Sequence, residues 1–251
     1  PPALSHADST VTLVDGQTFC LSAPGGDFVA GLPHGLFVLD TRVVSRWELR
    51  VNGHLLEPLA AAPHAPFEAS FIGRCHPGRG EADAGILVLR HRSIGNGLHE
   101  RIVVRNYGLD PANVIVELGC DSDFADLFEV KEDRVRPRPQ PPRHETGPGV
   151  LAIVDAGGTQ TTVSVADDAA VVAAGLVTWQ FELASREERE LCVEVGVRLR
   201  EVTLPARFGC GDESEASAPA QRYAAWLGTA PTVDTDAPVL AGALAWLDCR
   251  A

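Results

Sequence analysis

Three groups of residues combine side-chain types that could do chemistry. The first is Asp40, Thr41 and Arg42, a carboxylate, a hydroxyl and a guanidinium in a row inside an otherwise apolar stretch running from Gly35 to Gly53. If buried, such groups must find partners, because an unpaired buried charge is costly. Either Asp40 pairs with a nearby arginine, Arg42 or Arg46, or the three form a polar knot facing a ligand or an interdomain cleft. The second group is acidic: Asp121, Asp123 and Asp126, followed by Glu129. Glycoside hydrolysis needs two carboxyl groups flanking one bond. A calcium loop is disfavoured, since its glycine and its bidentate glutamate are absent from their places. These acids read as solvated residues at a strand end or as contributors to a site, and no metal is expected. The third group is His91, His99 and Glu100, on adjacent predicted strands. A sugar-epimerising sandwich needs a histidine base and a carboxylate on one concave face. Convergence of these three would supply it; ordinary strand-surface residues are the alternative.

Other reaction signatures are missing. No P-loop, dinucleotide-binding glycine motif, G-x-S-x-G or H-E-x-x-H occurs, so no cofactor is expected. The six cysteines (Cys20, Cys75, Cys120, Cys192, Cys210 and Cys249) are scattered singly, with no C-x-x-C pair and no histidine at zinc-ligand spacing. Reduced structural thiols are the expectation, because a chain this long without a secretory signal does not suggest a disulfide framework. The net charge of −13 argues against nucleic acid or an anionic membrane as partner. The basic run from Lys131 to Arg143 is broken by acids and prolines and reads as a solvated loop. Apolar stretches are strand-length, far short of the ~20 residues of a spanning helix. A cytoplasmic location is expected.

The elements that must position these groups are mostly strands. Val177, Trp179, Phe181 and Leu183 alternate with polar residues, and so do Leu191, Val193, Val195, Val197 and Leu199. Trp47, Leu49 and Val51 do the same, which predicts half-buried strands with one face on a core. Turn residues link them. Asp15-Gly16, Asn52-Gly53, Gly95-Asn96-Gly97 and Gly157-Gly158 predict hairpins, and Asp110-Pro111 breaks a further pair of strands, at 102–106 and 114–118. A dozen or more short strands predict an all-β fold, a large antiparallel sandwich. Residues 134–149, rich in proline, arginine and glycine, read as a long surface loop within it. Helical patterning is confined to the carboxy-terminal end. Residues 218–227, capped by Ser217 and stopped by Gly228, form one predicted helix, and residues 239–248 a second. Trp226, Leu240, Leu244 and Trp246 give these helices an apolar surface too wide for one facing only water. With the absence of methionine and a start at Pro1, this suggests a piece of a longer chain whose missing domain docks there.

Several blocks then become recognisable. They are residues 11–19 (VTLVDGQTF), the loop 24–27 (PGGD), residues 35–42 (GLFVLDTR) with Ser45, Arg46 and Trp47, residues 101–106 (RIVVRN), and residues 123–130 (DFADLFEV). In this order the chain resembles the amino-terminal domain of bacterial glycogen-debranching-type enzymes, the amylo-α-1,6-glucosidase group. The resemblance implies a β supersandwich over residues 1–215, then a helical linker over 216–251 leading to an (α/α)6 catalytic barrel. The catalytic carboxylates of such enzymes lie in the barrel, so no catalytic residue is carried over. The implied role is to brace the barrel and wall one side of its α-glucan cleft, with Asp40, Thr41, Arg42, Arg46, Asp123 and Asp126 at the substrate or interdomain face. The implied partners are the downstream domain and an α-glucan oligosaccharide. A stand-alone epimerase-like or carbohydrate-binding sandwich is the alternative.

Overall fold

A computed structural model of the chain describes residues 10–75, 85–204, 206–210 and 217–229. Three antiparallel sheets make up an all-β sandwich; elements are numbered in chain order. The four-stranded sheet joins β1 (Val11–Asp15), β2 (Thr18–Ser22), β3 (Gly35–Val38) and β4 (Thr41–Val44) in sequence. A five-stranded sheet runs β15 (Val171–Ala173), β16 (Leu176–Leu183), β11 (Ala112–Asp121), β5 (Arg46–Val51) and β6 (His54–Leu55). The nine-stranded sheet begins with β12 (Arg143–Gly147), β13 (Val150–Val154), β14 (Gln160–Val165) and β17 (Glu188–Leu199). It continues through β10 (Leu98–Asn106), β9 (Ile86–Ile94), β8 (Glu68–Arg74) and β7 (Glu57–Ala65), with β18 (Val202–Leu204) paired to β17. Two helices complete the described chain, α1 (Leu127–Lys131) and α2 (Ala218–Thr229).

The alternating residues meet in one apolar core. Trp47, Leu49, Val116 and Trp179 come from the five-stranded sheet, Val88, Ile102, Val193 and Val195 from the nine-stranded one, and Leu13, Leu36 and Val43 from the third. Each is essentially without solvent exposure, and burying such a side chain is worth about 1.5–3 kcal/mol. At one edge of the large sheet, the register of β7 against β8 breaks between Pro58 and Ala60 and again between Pro63 and Ala65. Among the described residues no helix is long and apolar enough to cross a membrane.

The hairpins predicted at Asp15-Gly16, at Gly95 to Gly97 and at Gly157-Gly158 are present. Asn52-Gly53 also turns a hairpin, but β6 is only two residues long before the chain leaves for the nine-stranded sheet. Four corrections follow. Asp110-Pro111 lies in a crossover between sheets, since β10 and β11 never pair. The proline-rich segment holds β12: no proline falls between Pro142 and Pro148, so residues 143–147 are free to pair as an edge strand. Residues 35–44 are not one strand, because Leu39 and Asp40 both adopt positive φ (48° and 63°) and turn a hairpin.

The fourth correction concerns the cysteines. Cys192 and Cys210 form a disulfide with Cα atoms 6.0 Å apart, where thiols throughout were expected. Phe208 causes the approach: it is buried and stacks on Phe67 at 5.9 Å, drawing residues 206–210 back to the sheet. Cys20, Cys75 and Cys120 are free and buried, and Cys249 lies outside the described residues.

Helix α2 is capped as expected, Ser217 Oγ accepting the Ala220 N–H, and extends through Gly228 to Thr229. Tyr223 packs edge-on against Phe67 and stacks on Trp226, which is 63% exposed. The second predicted helix, with Leu240, Leu244 and Trp246, lies outside the described residues.

Candidate functional site

The β3–β4 turn and the segment after β11 are sewn together. The Arg42 N–H donates to Ala125 O at 2.8 Å and the Leu127 N–H to Asp40 O at 2.8 Å. Thr41 and Asp126 form an isolated bridge, and the Ser45 N–H reaches Asp121 O at 2.9 Å. Within this frame the Arg42 guanidinium grips Asp123 with two parallel bonds, Nε to Oδ1 at 3.1 Å and Nη2 to Oδ2. Its Nη1 donates to His34 O at 3.3 Å. Such a bidentate pair fixes orientation as well as charge. Asp126 caps α1 in a reciprocal capping box with Glu129.

Five of the six residues expected at the site, Asp40, Thr41, Arg42, Asp123 and Asp126, are thus brought together, though in different pairings. Arg42 pairs with Asp123, 81 residues away, and not with Asp40, whose side chain is exposed on the turn. Arg46 stands apart, exposed over Gly119 and 3.6 Å from Glu48.

Asp123 is half-exposed and opens onto a groove of about 380 Å³, lined also by Arg138, Pro139, Gln140, Asp155 and Ala156. Arg138 bonds Phe124 O at 2.8 Å and Glu129 at 3.3 Å, which folds the proline-rich segment over this face. The groove therefore offers carboxylate, guanidinium and amide groups on a rigid wall, the set that meets neutral polyol ligands through hydrogen bonds. Asp123 already accepts from Arg42 and the Ala125 N–H, and Asp155 from the Thr159 N–H. A general acid of glycoside hydrolysis calls for an apolar, unpaired setting, which neither has. Arg138 and Gln140 were missed in sequence because nothing in a proline-rich run marks which polar residue folds inward, and Asp155 because it reads as an ordinary turn residue between β13 and β14.

The histidine group does not converge. His91 and His99 face outward on the nine-stranded sheet, His91 bonded to Ser70 Oγ at 2.8 Å and His99 Nε2 lying 3.2 Å from Cys192 Sγ. Burial first, then the Arg101 charge, holds His91 below its ordinary pKa. Glu100 points to the opposite, core face, with no exposed surface. There Arg90 Nε and Arg92 Nε each donate to it at 2.6 Å, and Trp47 Nε1 at 3.1 Å. The loop 24–27 completes this cluster: Gly25 O and Asp27 take Arg90, and Gly26 O takes Arg92. Burial alone would raise the Glu100 pKa, but Arg90 and Arg92 outweigh it and hold the carboxyl below its ordinary value.

Comparison with known proteins adds three findings. A family model described as the N-terminal domain of (some) glycogen debranching enzymes matches residues 13–194. Among solved structures, a protein from Escherichia coli K12 described as an aldose 1-epimerase aligns with a TM-score of 0.45 at 9% identity, over 76% of this chain and 99% of its own. A human-microbiome protein described as a kojibiose phosphorylase aligns with a TM-score of 0.43 at 8% identity, over 68% of this chain and 24% of its own. No curated protein matches the chain.

Proposed function

Since the chain belongs to the family formed by the N-terminal domain of some glycogen debranching enzymes, we propose that it is a non-catalytic sandwich that braces a downstream catalytic barrel and walls its α-glucan cleft. The parent enzyme would be an amylo-α-1,6-glucosidase working in the cytoplasm, with its bond-cleaving carboxylates in the barrel. The observation that carries the reading is the groove beside the Arg42–Asp123 pair, where two separate sequence blocks are locked together to present sugar-compatible polar groups. Helix α2 supports the docking side of it: Tyr223 anchors the helix to the body, and Trp226 stands out from it. Large exposed aromatics of this kind mark contact surfaces.

The test is made in the complete parent enzyme, on a branched α-glucan. Arg138→Ala and Gln140→Ala remove exposed groove donors. Each is expected to raise KM about tenfold, the value of one lost hydrogen bond of ~1.4 kcal/mol, with kcat nearly unchanged, as for binding made equally in ground and transition states. Unchanged KM in both variants would remove the groove from the cleft. Full activity of a parent lacking residues 1–230 would remove the bracing role.

A further inference from the structure

We propose that His99, Cys192 and Cys210 form a zinc site that is closed by the disulfide and opened by its two-electron reduction. The inference is independent of the function proposed above and rests on a different face of the molecule. One imidazole nitrogen and two sulfurs lie within 4.8 Å of one another. Two thiolates and one imidazole are a ligand set zinc favours, with the fourth position left to water or a carboxylate.

The fold builds this grouping from three places. His99 on β10 lies directly across the ladder from Glu194 on β17, and Cys192 is on the same outward face. Glu194 Oε1 accepts the Cys210 N–H at 2.6 Å, so a carboxylate beside the cluster fixes the turn that delivers the second sulfur. Buried Phe208 holds that turn down from its other side. His99 and Cys192 are half-buried and Cys210 lies at the surface, leaving the cluster open to an ion. The other described thiols offer no such setting. Cys20, Cys75 and Cys120 are buried, and burial pushes Cys75 and Cys120 up to about 12.

The chemistry balances with an external dithiol as reductant. Its two thiols pass two electrons and two protons to the Cys192–Cys210 bond and become a disulfide, while the protein gains two thiols. Zinc then replaces one proton on each sulfur and takes the lone pair of neutral His99, releasing two protons.

The experiment uses the 1–251 chain, oxidised or reduced with a small dithiol that is then removed without air. Zinc alone is added and competed against a chromophoric chelator. The reduced protein is expected to bind one zinc and the oxidised protein none. His99→Ala and Cys210→Ser are each expected to weaken binding at least about 100-fold, beyond the 10–100-fold loss typical of a group that only orients a ligand. Cobalt in place of zinc should show thiolate-to-metal charge transfer in the reduced chain only. Should Cys210→Ser fail to fold, His99→Gln with both sulfurs intact carries the same test. No zinc on the reduced chain, equal zinc on the oxidised chain, or full affinity in a folded variant overturns the proposal.

Discussion

Glu100 shows how a single residue can look catalytic in a sequence and serve the fold instead. Its neighbours His91 and His99 share the opposite sheet face, so strand alternation alone separates it from them. On the core side it pairs with both Arg90 and Arg92, which are almost wholly shielded from solvent, and Asp27 supplies the second negative charge through Arg90. Removing one partner of such a cluster leaves uncompensated buried charge, at a cost of about 3–5 kcal/mol. Glu100→Gln is therefore expected to lose that much stability near neutral pH, read by urea unfolding. The sign of the pH effect follows from the depressed carboxyl. Its contribution is present above the ordinary value of 4.5 and is lost as pH falls through the lower folded value. Wild type and Glu100→Gln should therefore converge in stability in acid; a constant gap down to about pH 3 would contradict the assignment. Gly26 belongs to the same cluster. Its φ is +87°, and an added Cβ would meet Phe71 at 3.1 Å and the Arg90 guanidinium carbon at 3.2 Å, which accounts for glycine in the 24–27 loop.

Elements are held by two different uses of glycine. At Gly53 the turn demands positive φ (+78°) and the surroundings are open, so Gly53→Ala should cost about 1–2 kcal/mol. At Gly97 the demand is space: a Cβ would lie 1.9 Å from Val195 O, against the ladder joining β10 to β17. Gly97→Ala should cost on the order of 3 kcal/mol, and denaturant midpoints of the two variants in parallel would check the order. Both turns were legible, because Asn-Gly and Gly-Asn-Gly announce themselves locally. The strands were legible too, as at Trp47, Leu49 and Val51, since alternation is written in the residues that alternate. The candidate site was only half legible. Asp40 to Arg42 and Asp123 to Asp126 stood out as charge inside apolar sequence, but the partner of Arg42 is fixed by how β4 meets the end of β11. The hairpin at Leu39-Asp40 was hidden because neither residue is a glycine. The disulfide was hidden for a similar reason: it depends on where Phe208 lands, and no spacing of cysteines records that.

At the scale of the molecule, the blocks that carry the family resemblance coincide with polar junctions between sheets. The 24–27 loop and Trp47 close the Glu100 cluster, residues 35–42 and 123–130 meet at Arg42 and Asp123, and Asn106 bonds Leu183 O and Ala184 O across the core. Large sheets also have ends. At the end of the nine-stranded sheet opposite β12, the edge strand β7 carries Pro58 and Pro63 where its register breaks, and neither has an N–H to offer a newcomer. An unguarded edge of this length would be a template on which another copy could add its own strand. Pro58→Thr with Pro63→Thr should restore those donors and yield larger, concentration-dependent species by light scattering, while the fold itself persists. If the double variant stays the same size as its parent, some other feature guards that flank. If larger species form, the two rings matter for more than the shape of one molecule: they set how crowded a solution of this protein can become before its sheets begin to join.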